Sequence, residues 1–127
     1  MQLGDIEVMV MFQTNNDADD LGDFQPYVIS YINDAYYRLI EAYHKAKMDT
    51  EEFPRLINFD DAPKLPEWMH QALADWATWM VYRNGNPQKQ YRGQQFKASF
   101  EEVLRKVLSS GGKAGEGRTV RTFYNLP

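Results

Sequence analysis

The sequence predicts an all-α fold: a small helical bundle in which one long helix packs against a helical hairpin, followed by a flexible C-terminal arm with strand potential. Three observations predict it. Apolar residues recur every three or four positions over most of residues 24–108. One sharp turn, Asn84-Gly85-Asn86-Pro87, divides the last two of these patterns. β-branched and aromatic residues cluster only after a Gly/Ser-rich run near the C-terminal end.

The elements follow in order. Leu3 to Phe12 carries Leu3, Ile6, Val8, Met9, Val10 and Phe12, a spacing that permits a short amphipathic helix or a strand. Asn15 to Asp23 is polar and reads as a loop, with Asp23 placed to cap a following helix and Pro26 in its first turn. From Phe24 to Met48, Phe24, Tyr27, Val28, Tyr31, Ile32, Ala35, Leu39, Ile40 and Tyr43 form one helical stripe. Asp34 and Arg38 on its outer face pair at i, i+4 spacing, a contribution of about 0.2–0.5 kcal/mol. Between Thr50 and Lys64, prolines and paired acids break the pattern, but Phe53, Leu56, Ile57 and Phe59 predict that this connection packs over the helices.

The hairpin occupies Leu65 to Leu108. Its first arm opens at Pro66, a helix-start position, and carries Met69, Leu73, Trp76, Ala77 and Met80 on one face. Trp68 and Trp79 point elsewhere, so this helix is apolar around much of its circumference and must be covered on several sides or touch a neighbour. Asn84 and Gly85 are suited to a left-handed helix end, Asn86 to a cap and Pro87 to the next first turn. The second arm sets Phe96, Phe100, Val103, Leu104, Val107 and Leu108 on one stripe, leaving Lys97, Glu101, Glu102, Arg105 and Lys106 for solvent.

Ser109 to Gly117 has linker composition, and Arg118 to Leu126 has strand character. The chain therefore divides into a helical domain, 1–108, and a linker with arm, 109–127. Ordering the nine residues of that arm costs of order 1–2 kcal/mol each, whereas burying Val120, Phe123 and Tyr124 returns about 1.5–3 kcal/mol apiece. Without a partner edge the arm is a frayed tail; with one, from another subunit or protein, it can add as a strand.

Composition sets further bounds. A chain of 127 residues with 43% hydrophobic and 25% charged residues is in the range of one globular domain. The lack of cysteine removes disulfides, thiolate nucleophiles and the common structural zinc sites. An acid near the N-terminus, where a signal peptide is basic, and an apolar window of only Trp76 to Tyr82 predict neither secretion by that route nor a membrane span. The net charge of −4 conceals a polarity: residues 1–82 hold 5 Lys/Arg and 15 Asp/Glu, a balance of −10, and residues 83–127 hold 9 and 3, a balance of +6. Such charges either pair within the monomer or bring an acidic face of one copy to a basic face of another, or to nucleic acid.

No residue set with the spacing of a catalytic or metal site emerges, and no cofactor is expected. Asp17, Asp19, Gly22 and Asp23 suggest a calcium loop, but counting from Asp17 puts Leu21 at a ligand position and Val28 where a glutamate is required. His44 and His70 belong to no metal-spaced cluster, and a hydrolase built on His70 with Asp75 lacks a nucleophile and an oxyanion site. Lys113 sits among Gly111, Gly112, Gly115 and Gly117, yet Ala114 follows it where a phosphate loop needs Ser or Thr. A nucleic-acid binder would use Arg83, Lys89, Arg92 and Lys97, with Lys113, Arg118 and Arg121, as phosphate contacts.

The segment from Phe12 to Tyr43, FQTNNDADDLGDFQPYVISYINDAYYRLIEAY, together with the Leu65–Leu108 run, resembles the small head–tail connector (adaptor, or head-completion) proteins of tailed bacteriophages and prophages. The shared pattern is a short first helix, a polar Asn/Asp loop, a long helix with an Ile-Asn-Asp-Ala-Tyr-like core, an LP…W…A…W helix, a Gly-Asn-Pro turn and a final helix, over residues 3–108. The resemblance implies a helix for residues 3–12 and a non-enzymatic, structural virion protein at the head–tail joint, made in the bacterial cytoplasm. Its copies would form a ring beneath the portal protein, extend the channel through which DNA passes without sequence-specific contact, and receive a neck or tail-completion protein. The contact to portal or subunit would fall on Lys113, Arg118, Thr119, Val120, Arg121, Thr122, Phe123 and Tyr124, beyond the matched region.

Overall fold

The computed structural model describes residues 1–14, 18–47 and 53–110, with side chains for 1–14, 27–43 and 53–109. They form α1 (Leu3–Gln13), α2 (Ala18–Lys47), a 3-10 turn (Glu67–Met69), α3 (His70–Tyr82) and α4 (Pro87–Ser110). No strand occurs among the described residues. The all-α expectation holds, and residues 3–12 are helical.

α3 is the centre of the bundle. It packs against α1, α2 and α4, while α1 and α4 scarcely meet and so occupy opposite corners. This placement explains why α3 is apolar nearly all round: Leu73, Ala74, Ala77 and Val81 are buried, as are Ala72 and Trp76. α1 runs parallel to α3, since Met1 reaches Glu67 at one end and Gln13 reaches Asp75, Thr78 and Tyr82 toward the other. α4 returns antiparallel, stacking Phe96 on Tyr82 and setting Phe100 4.8 Å from the Trp76 ring. The core is completed by Leu3, Ile6 and Val10 of α1 and by Ile32, Ala35, Tyr36 and Leu39 of α2.

Helix ends are satisfied by specific partners. The α1 amides of Leu3 and Gly4 donate to the carbonyls of Asp61 (2.7 Å) and Phe59 (2.9 Å), and the Gln2 amide donates to the Asp5 carboxylate. Asp61 in turn accepts the Ile57 and Asn58 amides, both at 2.8 Å, which hold its carboxyl below the ordinary range. At the hairpin, the Lys89 amide donates to Asn86 Oδ1, the expected cap, and the Gln90 side chain donates to the Arg83 and Gly85 carbonyls, clasping the end of α3.

Several local expectations are corrected. α2 starts at Ala18, so Asp23 lies inside the helix instead of capping it and Pro26 sits in its interior, where its ring nitrogen gives the Gly22 carbonyl no donor. Pro66, with ψ 146°, is extended and precedes the 3-10 turn instead of opening the helix itself. Gly85 does not take the left-handed conformation; its position is small because a Cβ there would come within 2.8 Å of the Lys89 side chain. α4 runs on through Ser110, two residues past the expected end. Leu108 falls off the buried stripe and is exposed, and in the 53–64 connection only Leu56 is fully buried among the four expected apolar anchors, Ile57 and Phe59 being exposed.

Candidate functional site

The Ile32-Asn33-Asp34-Ala35-Tyr36 core of α2 is a row of pins. Asn33, buried, donates through Nδ2 to the carbonyls of Ile29 (3.0 Å) and Leu56 (2.9 Å) and accepts the Leu56 amide at 2.8 Å. Its side chain thus pairs with both backbone groups of one residue in the connection, as a neighbouring strand would. Asp34 Oδ2 accepts Trp76 Nε1 at 2.9 Å and Arg38 Nε at 3.0 Å, with the Arg38 guanidinium 4.7 Å from the Trp76 ring centre. The expected Asp34–Arg38 pair is present and also fixes a tryptophan of α3. The Tyr36 hydroxyl accepts the Lys64 amide at 2.9 Å. Three polar residues of one motif therefore hold the connection and α3 onto α2.

A second polar cluster joins α1 to α3. Gln13 Nε2 donates to Asp75 Oδ1 at 2.9 Å, its carbonyl oxygen accepts the Thr78 hydroxyl, and its backbone carbonyl accepts the Tyr82 hydroxyl at 3.0 Å. Burial pushes the Asp75 carboxyl up, against the opposing hydrogen bonds from Gln13 and Gln71. The sequence offered no signal for Gln13, because its partners lie more than sixty residues away.

His70 is buried, with Nε2 2.8 Å from the Leu65 carbonyl and Nδ1 2.9 Å from the Met1 amino group. A carbonyl can only accept, so Nε2 carries a proton and donates it. Both ring nitrogens are engaged, and Asp75 bonds to Gln13 and Gln71, not to His70. The Met1 ammonium, ahead of His70, holds the Glu67 carboxyl below its ordinary range. His44 lies where no side chain is described. Among the described residues no three His, Cys, Asp or Glu side chains gather as metal ligands, and no helix is long and apolar enough to cross a membrane.

Of the four cations expected as phosphate contacts, two lie over aromatic rings of α3. The Arg92 guanidinium lies 5.8 Å from the Tyr82 ring centre and the Lys97 ammonium 5.3 Å from the Trp79 ring centre. At 3.6 residues per turn these two positions are about 140° apart on α4, one on either flank of its seam with α3. Arg83 is exposed at the end of α3, and Lys89 packs beside Gly85. The remaining interface residues, Lys113 and Arg118 through Tyr124, lie outside the described residues.

Charge is nevertheless segregated in space. α1 carries Asp5 and Glu7 and no Lys or Arg, and the adjoining connection, 53–64, carries Asp60 and Asp61 with Arg55 and Lys64 near its two ends. The α4 corner, residues 83–109, carries 6 Lys/Arg against Glu101 and Glu102. α1 and α4 lie on opposite sides of α3. The ion pairs Asp34–Arg38 and Glu102–Arg105 each join neighbours on one helix.

A feature that sequence reading missed is Gly93. A Cβ there would stand 2.8 Å from Tyr82 Cβ and 3.0 Å from the Trp79 ring, so this glycine sets how closely α4 approaches α3. Comparison with family models, curated proteins and solved structures finds no match to this chain.

Proposed function

We propose that this chain is a structural virion protein, a subunit of a ring that joins a phage portal to the neck or tail and extends the DNA channel. The observation that carries this reading is the separation of charge onto opposite corners of the bundle. An acidic corner and a basic corner on one subunit favour a head-to-tail contact between copies, and a head-to-tail contact whose rotation closes makes a ring. The resemblance of residues 3–108 to connector proteins supports the same assignment. In this reading the arm from Lys113 to Tyr124 leaves the bundle at the end of α4 to contact the portal or a neighbouring subunit. The ring would sit at the head–tail joint, after assembly in the host cytoplasm.

The test is electron microscopy of the protein mixed with the portal ring encoded in its own genome. An added layer of subunits on the portal's tail-facing end is expected; no layer, or a genome without a portal gene, overturns the reading. Removing residues 110–127 should keep the helical circular-dichroism signal and a cooperative melt while abolishing portal binding. Unfolding of that variant would show that the arm belongs to the core.

A further inference from the structure

α1 is apolar on two opposite faces. Leu3, Ile6 and Val10 enter the core, while Val8, Met11 and Phe12 stand on the far side at 49%, 51% and 73% exposure. Phe59 extends this outer strip over Gly4, where an added Cβ would stand 3.4 Å from Phe59 Cβ. A helix apolar on both sides is ordinarily covered on both. By helical position Asp5 flanks the strip on one side and Glu7 on the other. Glu7 carries a second mark: its Oε1 is buried and receives no hydrogen bond among the described residues, and burial raises its carboxyl above the ordinary range. The residue as a whole is half-buried, and an acid at the rim of an apolar strip is suited to a guanidinium donor.

One segment of this chain has the complementary chemistry. Arg118 to Leu126 contains Val120, Phe123 and Tyr124, two arginines and no acid. We propose that this segment of one copy docks on the α1 outer strip of a neighbouring copy, its apolar side chains covering Val8, Met11, Phe12 and Phe59 and an arginine meeting Glu7. Docking runs through side chains, because no described residue of a copy forms a strand whose edge could be extended.

Reach favours a neighbour over the same chain. α4 ends at Ser110, on the corner away from α1. With packed helices 8–10 Å apart, the path from there around the bundle to the outside of α1 at Val8–Phe12 is roughly 25 Å. The intervening Gly-rich stretch, 111–117, has seven residues. From Ser110 to Val120, the first apolar residue to be seated, is ten residues, a stretch that spans about 17 Å as a coil and roughly 33–36 Å drawn out straight. Seating the arm on its own α1 would therefore stretch the connection past its coil span, whereas a neighbouring copy imposes no fixed path. Arm of one copy into α1 of the next is a head-to-tail contact, so the inference rests on the ring reading for its setting and adds the surface that receives the arm.

The test uses the full chain without any portal, so its outcome is independent of portal binding. Phe123 is replaced by the photo-reactive p-benzoylphenylalanine, and equal amounts of 14N- and 15N-labelled protein are mixed, irradiated and mapped by mass spectrometry. Cross-links from position 123 to residues 4–12 or 59 in mixed-isotope pairs are expected. Phe12→Asp, a change at an exposed position, should cut them at least tenfold while leaving the melt unchanged. Cross-links to the same residues within one isotope only, cross-links elsewhere, or none at all would overturn the proposal.

Discussion

Replacing Asn33 by Ala removes the side chain that pairs with both backbone groups of Leu56. The Leu56 amide, buried with its residue, is left without an acceptor at a cost of about 1–3 kcal/mol, and the unfilled space adds about 1 kcal/mol. The second Nδ2 bond, to Ile29, matters less, since a carbonyl within the helix keeps its backbone donor. Higher helix propensity of Ala returns roughly 0.5 kcal/mol. The net expectation is a loss of about 2–3 kcal/mol, a large part of the 5–15 kcal/mol typical of a domain. Urea unfolding followed at 222 nm should show it as a midpoint lower by about 1–2 M. Hydrogen exchange should show the Leu56 amide losing protection ahead of the α3 amides. Asn33→Asp sharpens the test: it keeps an acceptor for Leu56 N–H but turns a carboxylate oxygen toward two carbonyls. The folded-state pKa of that carboxyl would be raised, so the variant should be weakest at neutral pH and recover as pH falls and the carboxyl can donate again. Loss below about 1 kcal/mol in Asn33→Ala, with unchanged protection at Leu56, would refute the pinning role.

Gly93→Ala should gain about 1 kcal/mol in helix propensity and lose about 1–3 kcal/mol to crowding against Tyr82 and Trp79, for a small net destabilisation, and Gly93→Leu should lower the melting temperature much further. A higher melting temperature for Gly93→Ala would show that the α3–α4 contact is slack. Asp75→Asn should be as stable as the parent or more so at pH 7, because the folded pKa of Asp75 is raised and its penalty grows as pH rises from the ordinary carboxyl range to that value. The two melting curves should converge in acid; a variant that is less stable at pH 7 would show that the charge itself is needed by Gln13 and Gln71. For DNA, seven cations acting together would give a log–log salt slope of about −6 on a duplex. With Arg92 and Lys97 on opposite flanks of α4, anisotropy titrations should show a slope shallower than about −3, and a steeper one would favour phosphate binding.

By itself the sequence determined the helical class, the hairpin with its Asn86 cap, the Asp34–Arg38 pair and the covering of α3 on several sides. These depend on spacing along one helix or on residues within a single turn, so a local pattern is enough to specify them. Only the tertiary structure decided the rest. Gly93 is needed because Tyr82 and Trp79 pass close by, Gln13 matters because Asp75 and Thr78 face it, and Asn33 is buried because Leu56 lies across it. α2 absorbs Asp23 and Pro26, and Leu108 is left in solvent although it shares its neighbours' composition. The sign of each half of the chain could be counted, but not that α1 with its acids and α4 with its cations would lie on opposite corners. That follows from α3 standing between α1 and α4, an arrangement set by packing between residues far apart in the chain, about which local periodicity carries no information.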